Sequence, residues 1–120
     1  MNSYESALLY IARQEIQKIK ESGQEFRLDK EEFDPGSSTL CVYGQVFDEA
    51  TSEQAMNFKD SNNIPCGFGS DSSDPFSYEY TALEILVDIL WGDGYQDKVF
   101  KLLDEFVIWG DKEDSKWYEI

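Results

Sequence analysis

The sequence predicts an α+β fold: three to four helices packed on a small sheet built around a strand at residues 40–47. Three observations predict it. Two segments carry apolar residues at the 3.6-residue period of a helix. A third, Leu40-Cys41-Val42-Tyr43-Gly44-Gln45-Val46-Phe47, is rich in β-branched and aromatic residues. Between these segments lie turn signals built on Pro and Gly.

The first element is an amphipathic helix over residues 4–22. Leu8, Ile11, Ala12, Ile16 and Ile19 fall on one face, Ser3 stands where a cap is wanted, and Gly23 suits a left-handed C′ residue. Its other face mixes Arg13, Lys18 and Lys20 with Glu15 and Glu21, an ordinary solvated surface. Asp34-Pro35-Gly36-Ser37 makes a turn before the strand at 40–47, which is apolar on both faces and therefore central, with Gly44 marking a bulge. Thr51-Ser52-Glu53-Gln54 is a capping box that opens a short helix to about Lys59. A loop follows over residues 60–75.

Residues 80–91 read as a buried helix, because only Glu84 and Asp88 interrupt its apolar residues. Thr81-Ala82-Leu83-Glu84 is a second capping box; a strand at 85–90 is the rival reading. Gly92-Asp93-Gly94 breaks the chain. Asp93 is expected to cap a last helix, with Tyr95, Val99, Leu102, Leu103 and Phe106 as its stripe and Gly110 at its end. In the tail, Trp117, Tyr118 and Ile120 are expected to dock on the body. Trp91, Trp109 and Trp117 read as core residues whose indole N–H groups need partners.

The 120 residues form one domain, 1–120, rich enough in apolar and aromatic residues (41% and 15%) to build a core. No run is long enough to span a bilayer, and the start of the chain lacks the features of a signal peptide, so the expected location is cytoplasmic. Cys41 and Cys66 are accordingly expected as reduced thiols.

Charge is the strongest functional signal. The first thirty residues balance five acids with five bases, so the whole net charge of −15 sits on residues 31–120. Between Lys59 and Lys98 there are eight carboxylates and no base. Such a charge disfavours nucleic acid and anionic membrane and favours a basic protein partner. The candidate contact residues are Asp60, Asp71, Asp74, Glu79, Glu84, Asp88 and Asp97, with Glu84 and Asp88 as an i, i+4 ridge; Asp93 is set aside as a cap.

Enzymatic readings find little footing. The chain has no His, which removes the usual general base and the commonest transition-metal ligand, so no metal or cofactor is expected. Residues 67–74 lack the phosphate-loop ending and the EF-hand ligand pattern. Paired carboxylates for glycoside hydrolysis have no supporting motif, and Cys41 has no base to activate it.

The 40–47 segment resembles a Cys-hydrophobic-x-Gly-Gln-hydrophobic-aromatic stretch of small phage and mobile-element proteins. In overall style the chain is similar to the small, very acidic immunity and anti-defence inhibitors, anti-CRISPR proteins among them. That resemblance implies a non-enzymatic inhibitor that covers a basic, nucleic-acid-binding surface of a target such as a nuclease. It carries over no individual residue. The alternative is a small scaffold that oligomerises through apolar surface on the helices of residues 80–106. The sequence leaves the oligomeric state open.

Overall fold

The computed structural model describes residues 3–37, 39–68 and 79–110. Among them the fold is α+β, with five helices and a two-stranded parallel sheet. Helix α1 (Ser3–Ser22) ends at Gly23, whose φ of +78° is the left-handed C′ conformation the sequence called for. It buries Leu8, Ala12, Ile16 and Ile19 along α4 (Ala82–Gly92), the main helix pair of the molecule. Helix α4 is capped as expected: the Thr81 hydroxyl accepts from the Glu84 N–H, and the Glu84 carboxylate accepts from the Thr81 N–H. Residues 85–90 are helix, not strand.

The expected strand at 40–47 is not formed. Its backbone groups are satisfied locally, through Cys41 N–H to Ser37, Gln45 N–H to Cys41 and Phe47 N–H to Tyr43, and residues Gly44–Phe47 wind into the short helix α2. The composition misleads because Cys41, Val42, Tyr43 and Gly44 are consecutively buried. A turn threading the core is apolar on every side, as a central strand is. Gln45 replaces ladder bonds with side-chain ones, accepting from the Asp29 N–H at 2.7 Å and donating to the Leu40 carbonyl at 2.9 Å. Asp48, at φ +72°, turns the chain out of α2.

The sheet is built elsewhere. Strand β1 (Phe26–Leu28) pairs in parallel with β2 (Val107–Trp109), in the register Phe26 to Val107 and Leu28 to Trp109. Residues 107–109 therefore leave the expected last helix, which stops at Leu103 (α5, Gln96–Leu103). Asp93 closes α4 as its C-cap rather than opening α5, whose N-cap Tyr95 makes no side-chain cap bond. Helix α3 (Glu53–Ser61) is capped by Ser52, one residue later than expected, with its hydroxyl accepting from the Ala55 N–H. After α3 the chain returns through an isolated antiparallel bridge between Cys66 and Thr81. The tail expected to dock, with Trp117, Tyr118 and Ile120, lies outside the described residues.

Aromatic rings fill two centres. Phe26, fully buried, takes edge-on contacts from Tyr43, Phe47 and Phe106 at centroid distances of 5.5–6.0 Å. Phe33, Trp91, Phe100 and Trp109 form the second, 5.2–6.0 Å apart. Trp109 donates its indole N–H to Asp104. No helix among the described residues is long and apolar enough to cross a membrane.

Truncation of Phe26 empties the first centre, so Phe26→Ala is expected to cost about 3–5 kcal/mol in urea unfolding. Tyr10→Ala, at a side chain 69% exposed, is expected to stay within about 0.5 kcal/mol of the parent.

Candidate functional site

Two ionisable assemblies meet at the N-terminal end of α4, one inside the protein and one at its surface. The inner one starts from Glu15 on α1. Glu15 is 1% exposed, next to Ile16 and one turn from Ile19 on the buried side of the helix, and not on a solvated face as expected. Its carboxylate accepts from the Tyr43 hydroxyl at 2.5 Å and from the Leu83 N–H at 3.1 Å. The Thr81 hydroxyl also hydrogen-bonds it. Burial nevertheless outweighs these donors and lifts its pKa from an ordinary 4.5 to about 7.

Lys59 of α3 is fully buried, and all three ammonium protons find acceptors: the Ala50 carbonyl at 3.0 Å, the Glu79 carbonyl at 3.1 Å and the Glu84 carboxylate at 2.8 Å. Its ammonium also stands 4.6 Å from the centre of the Tyr43 ring. Glu84 completes the chain, bonded to Lys59 and to the Thr81 N–H. Burial raises its pKa while Lys59 opposes the rise. Both carboxylates lie against the first turn of α4, where free N–H groups and the helix dipole favour negative charge. Thr81 joins the two halves, giving one network from Glu15 and Tyr43 to Glu84 and Lys59.

Glu84 therefore forms no surface ridge with Asp88. It is 6% exposed and turned inward to Lys59, whereas Asp88, one turn on, is exposed. Of the other expected contact residues, Asp60 and Asp97 are exposed at the end of α3 and in the first turn of α5. Glu79 is half-buried, and its carbonyl serves Lys59. Asp71 and Asp74 lie outside the described residues.

What the structure adds is Asp34. The turn at residues 34–37 folds against α4, so that Gly36 lies between two carboxylates. A side-chain carbon on Gly36 would stand 3.3 Å from an Asp34 oxygen and 3.7 Å from an Asp88 oxygen. Beside them opens a notch of about 160 Å³ lined by Gly36, Ser37, Cys41, Tyr80, Glu84 and Asp88. Partial burial, and next the charge of Asp34, push the Asp88 pKa up. No local pattern signals this juxtaposition, since Asp34 reads only as a turn residue.

The thiols are poor nucleophiles. Burial pushes both Cys41 and Cys66 up to about 11, and the two are not joined in a disulfide. No three metal-ligating side chains converge among the described residues. Chemically, the notch offers an ammonium or guanidinium group the Asp88 carboxylate, with Asp34 beside it across Gly36. Comparison of the chain with protein-family models, curated protein sequences and solved structures finds no match.

The inner network has a pH signature. Glu15 titrates near 4.5 in the unfolded chain and near 7 in the folded one, so folding takes up a proton between those values. Stability therefore falls as pH rises through this window, by roughly 3 kcal/mol from Glu15. Glu15→Gln is expected to flatten the pH dependence of the urea midpoint between about pH 5 and 8; a slope equal to the parent's removes Glu15 as its source. Lys59→Met strands the Glu84 charge and is expected to cost about 3–5 kcal/mol, with Glu84→Leu in the same chain recovering most of it.

Proposed function

We propose that the protein is a non-enzymatic acidic inhibitor. Working in the cytoplasm, it binds a basic surface that its target otherwise offers to nucleic acid, in an anti-defence or toxin-immunity role. The observation that carries this reading is the notch at Asp88, with Asp34 beside it across Gly36. Asp88 lines the notch, and its titration is raised by burial and by the charge of Asp34. A cationic side chain entering the notch relieves the repulsion and replaces lost hydration with direct pairing.

The rest of the charge acts at longer range. With a net charge of −15, the chain repels phosphate backbones and draws in basic surfaces. Exposed Asp60 and Asp97 add to the anionic field of the molecule, and Glu79 contributes from a half-buried position. Glu84 lines the notch from beneath, 6% exposed and paired with Lys59, so it adds little to the surface charge. Binding places carboxylates where a target expects phosphates, so inhibition is by occlusion and needs no catalytic group.

The scaffold alternative draws less support. Leu83, Leu86, Val87, Val99 and Leu103 of α4 and α5 are buried within the chain, which leaves little of that apolar surface for a second copy.

The test is competition with nucleic acid for a panel of basic nucleases and their DNA-binding partners. Binding is expected to weaken steeply between low and high salt. Asp34→Lys with Asp88→Lys should cost roughly tenfold or more in affinity. Binding that ignores both ionic strength and this charge reversal overturns the proposal.

A further inference from the structure

A second concavity lies between α1 and α5, and its chemistry is opposite to that of the notch. Its volume is about 480 Å³, within the range of small-ligand pockets. Leu9 of α1, Leu90 of α4 and Leu102 of α5 give it an apolar floor. Arg13, Lys98 and Lys101 stand around it, with Glu105 as the one acid.

The placement follows from helix periodicity. Lys98, Lys101, Leu102 and Glu105 recur at i, i+3, i+4 and i+7, a stripe of α5 that continues past its last turn. Leu9 and Arg13 are one turn apart on α1. In a chain with only ten basic residues against twenty-five acids, three of the ten gather at this groove. Their charges are poorly compensated. Arg13 reaches Glu105 only at 4.0 Å between exposed groups, and among the described residues neither lysine forms an ion pair. Lys98 and Lys101, a turn apart on the same face, repel one another.

We infer that this groove binds a small amphiphilic monoanion, a single hydrocarbon chain carrying one carboxylate. The chain lies on Leu9, Leu90 and Leu102 while the carboxylate sits among Arg13, Lys98 and Lys101. Charge selects this occupant over an acidic peptide or protein. A polyanion meets the repulsion of the whole molecule, whereas a monoanion experiences mainly the local excess of cations, because distant charges are screened beyond about 8 Å at physiological salt. This inference is independent of the inhibitor reading, since it uses a different surface and a different ligand.

The test is a titration of the full chain with decanoate below its micelle concentration, followed by amide chemical shifts, with decyltrimethylammonium as the oppositely charged control. Saturable binding by decanoate is expected, with shifts centred on Leu9, Arg13, Leu90 and Leu102. The control should bind about tenfold more weakly or not at all. Lys98→Glu with Lys101→Glu, at exposed positions that leave the core intact, should weaken decanoate about tenfold and strengthen the control. Equal binding of the two amphiphiles overturns the inference. So do unchanged affinity in the double variant, absence of saturation, and a groove closed by self-association in sedimentation at the same concentration.

Discussion

The structure depends on one cation in the middle of an acidic protein. Lys59 is fully buried, and its three bonds reach the carbonyl before α3, the carbonyl before α4 and the carboxylate that caps α4. Each acceptor fixes a different segment. Tyr43 covers the ammonium with its ring and passes its hydroxyl to Glu15, which brings α1 into the same network. A buried pair of this kind adds little net stability, because desolvation cancels most of the attraction. Its effect is on uniqueness: α1 has one rotation that offers Glu15 to Tyr43 and Leu83, and α3 has one that offers Lys59 to Glu84.

The two ionisable assemblies share α4 but obey opposite rules. Inside, every charge has hydrogen-bond partners, and no buried side-chain polar atom among the described residues lacks one. At the surface, Asp34 and Asp88 stand on either side of Gly36, and Asp34 accepts the Gly36 N–H at 2.9 Å. The inner charges are satisfied by the fold itself, whereas among the described residues neither surface carboxylate forms an ion pair. With no His in the chain, its response to pH near neutrality falls to a carboxylate, Glu15, whose burial moves it to the place His would occupy.

Local signals were legible in the sequence and long-range ones were not. The Leu8–Ile19 stripe, Gly23 as the C′ residue and the Thr81 box all depend on residues within four or five positions, and the structure contains each of them. Glu15 sits between Gln14 and Ile16 at the edge of the apolar stripe, so only the tertiary partner Tyr43 shows that it is buried. Lys59 read only as the end of a short helix, because its carboxylate partner lies twenty-five positions away. The same separation hid the inward turn of Glu84. At 40–47 the composition reported burial correctly but could not say whether a neighbouring strand or a local turn satisfied the backbone. Strands of three residues, β1 and β2, are too short to show an alternating pattern.

The parallel pairing of β1 with β2 also bears on how the chain reaches this state. Its register joins Phe26 to Val107, so four helices intervene between the strands. The entropy of closing so long a loop must be met before the first bond of this sheet forms. Because four helices lie between the strands, the bonds of this sheet are made only together with the packing that closes the loop. Among the described residues the sheet consists of these two strands alone, so the pairing ties residues 26–28 to residues 107–109 across everything folded between them.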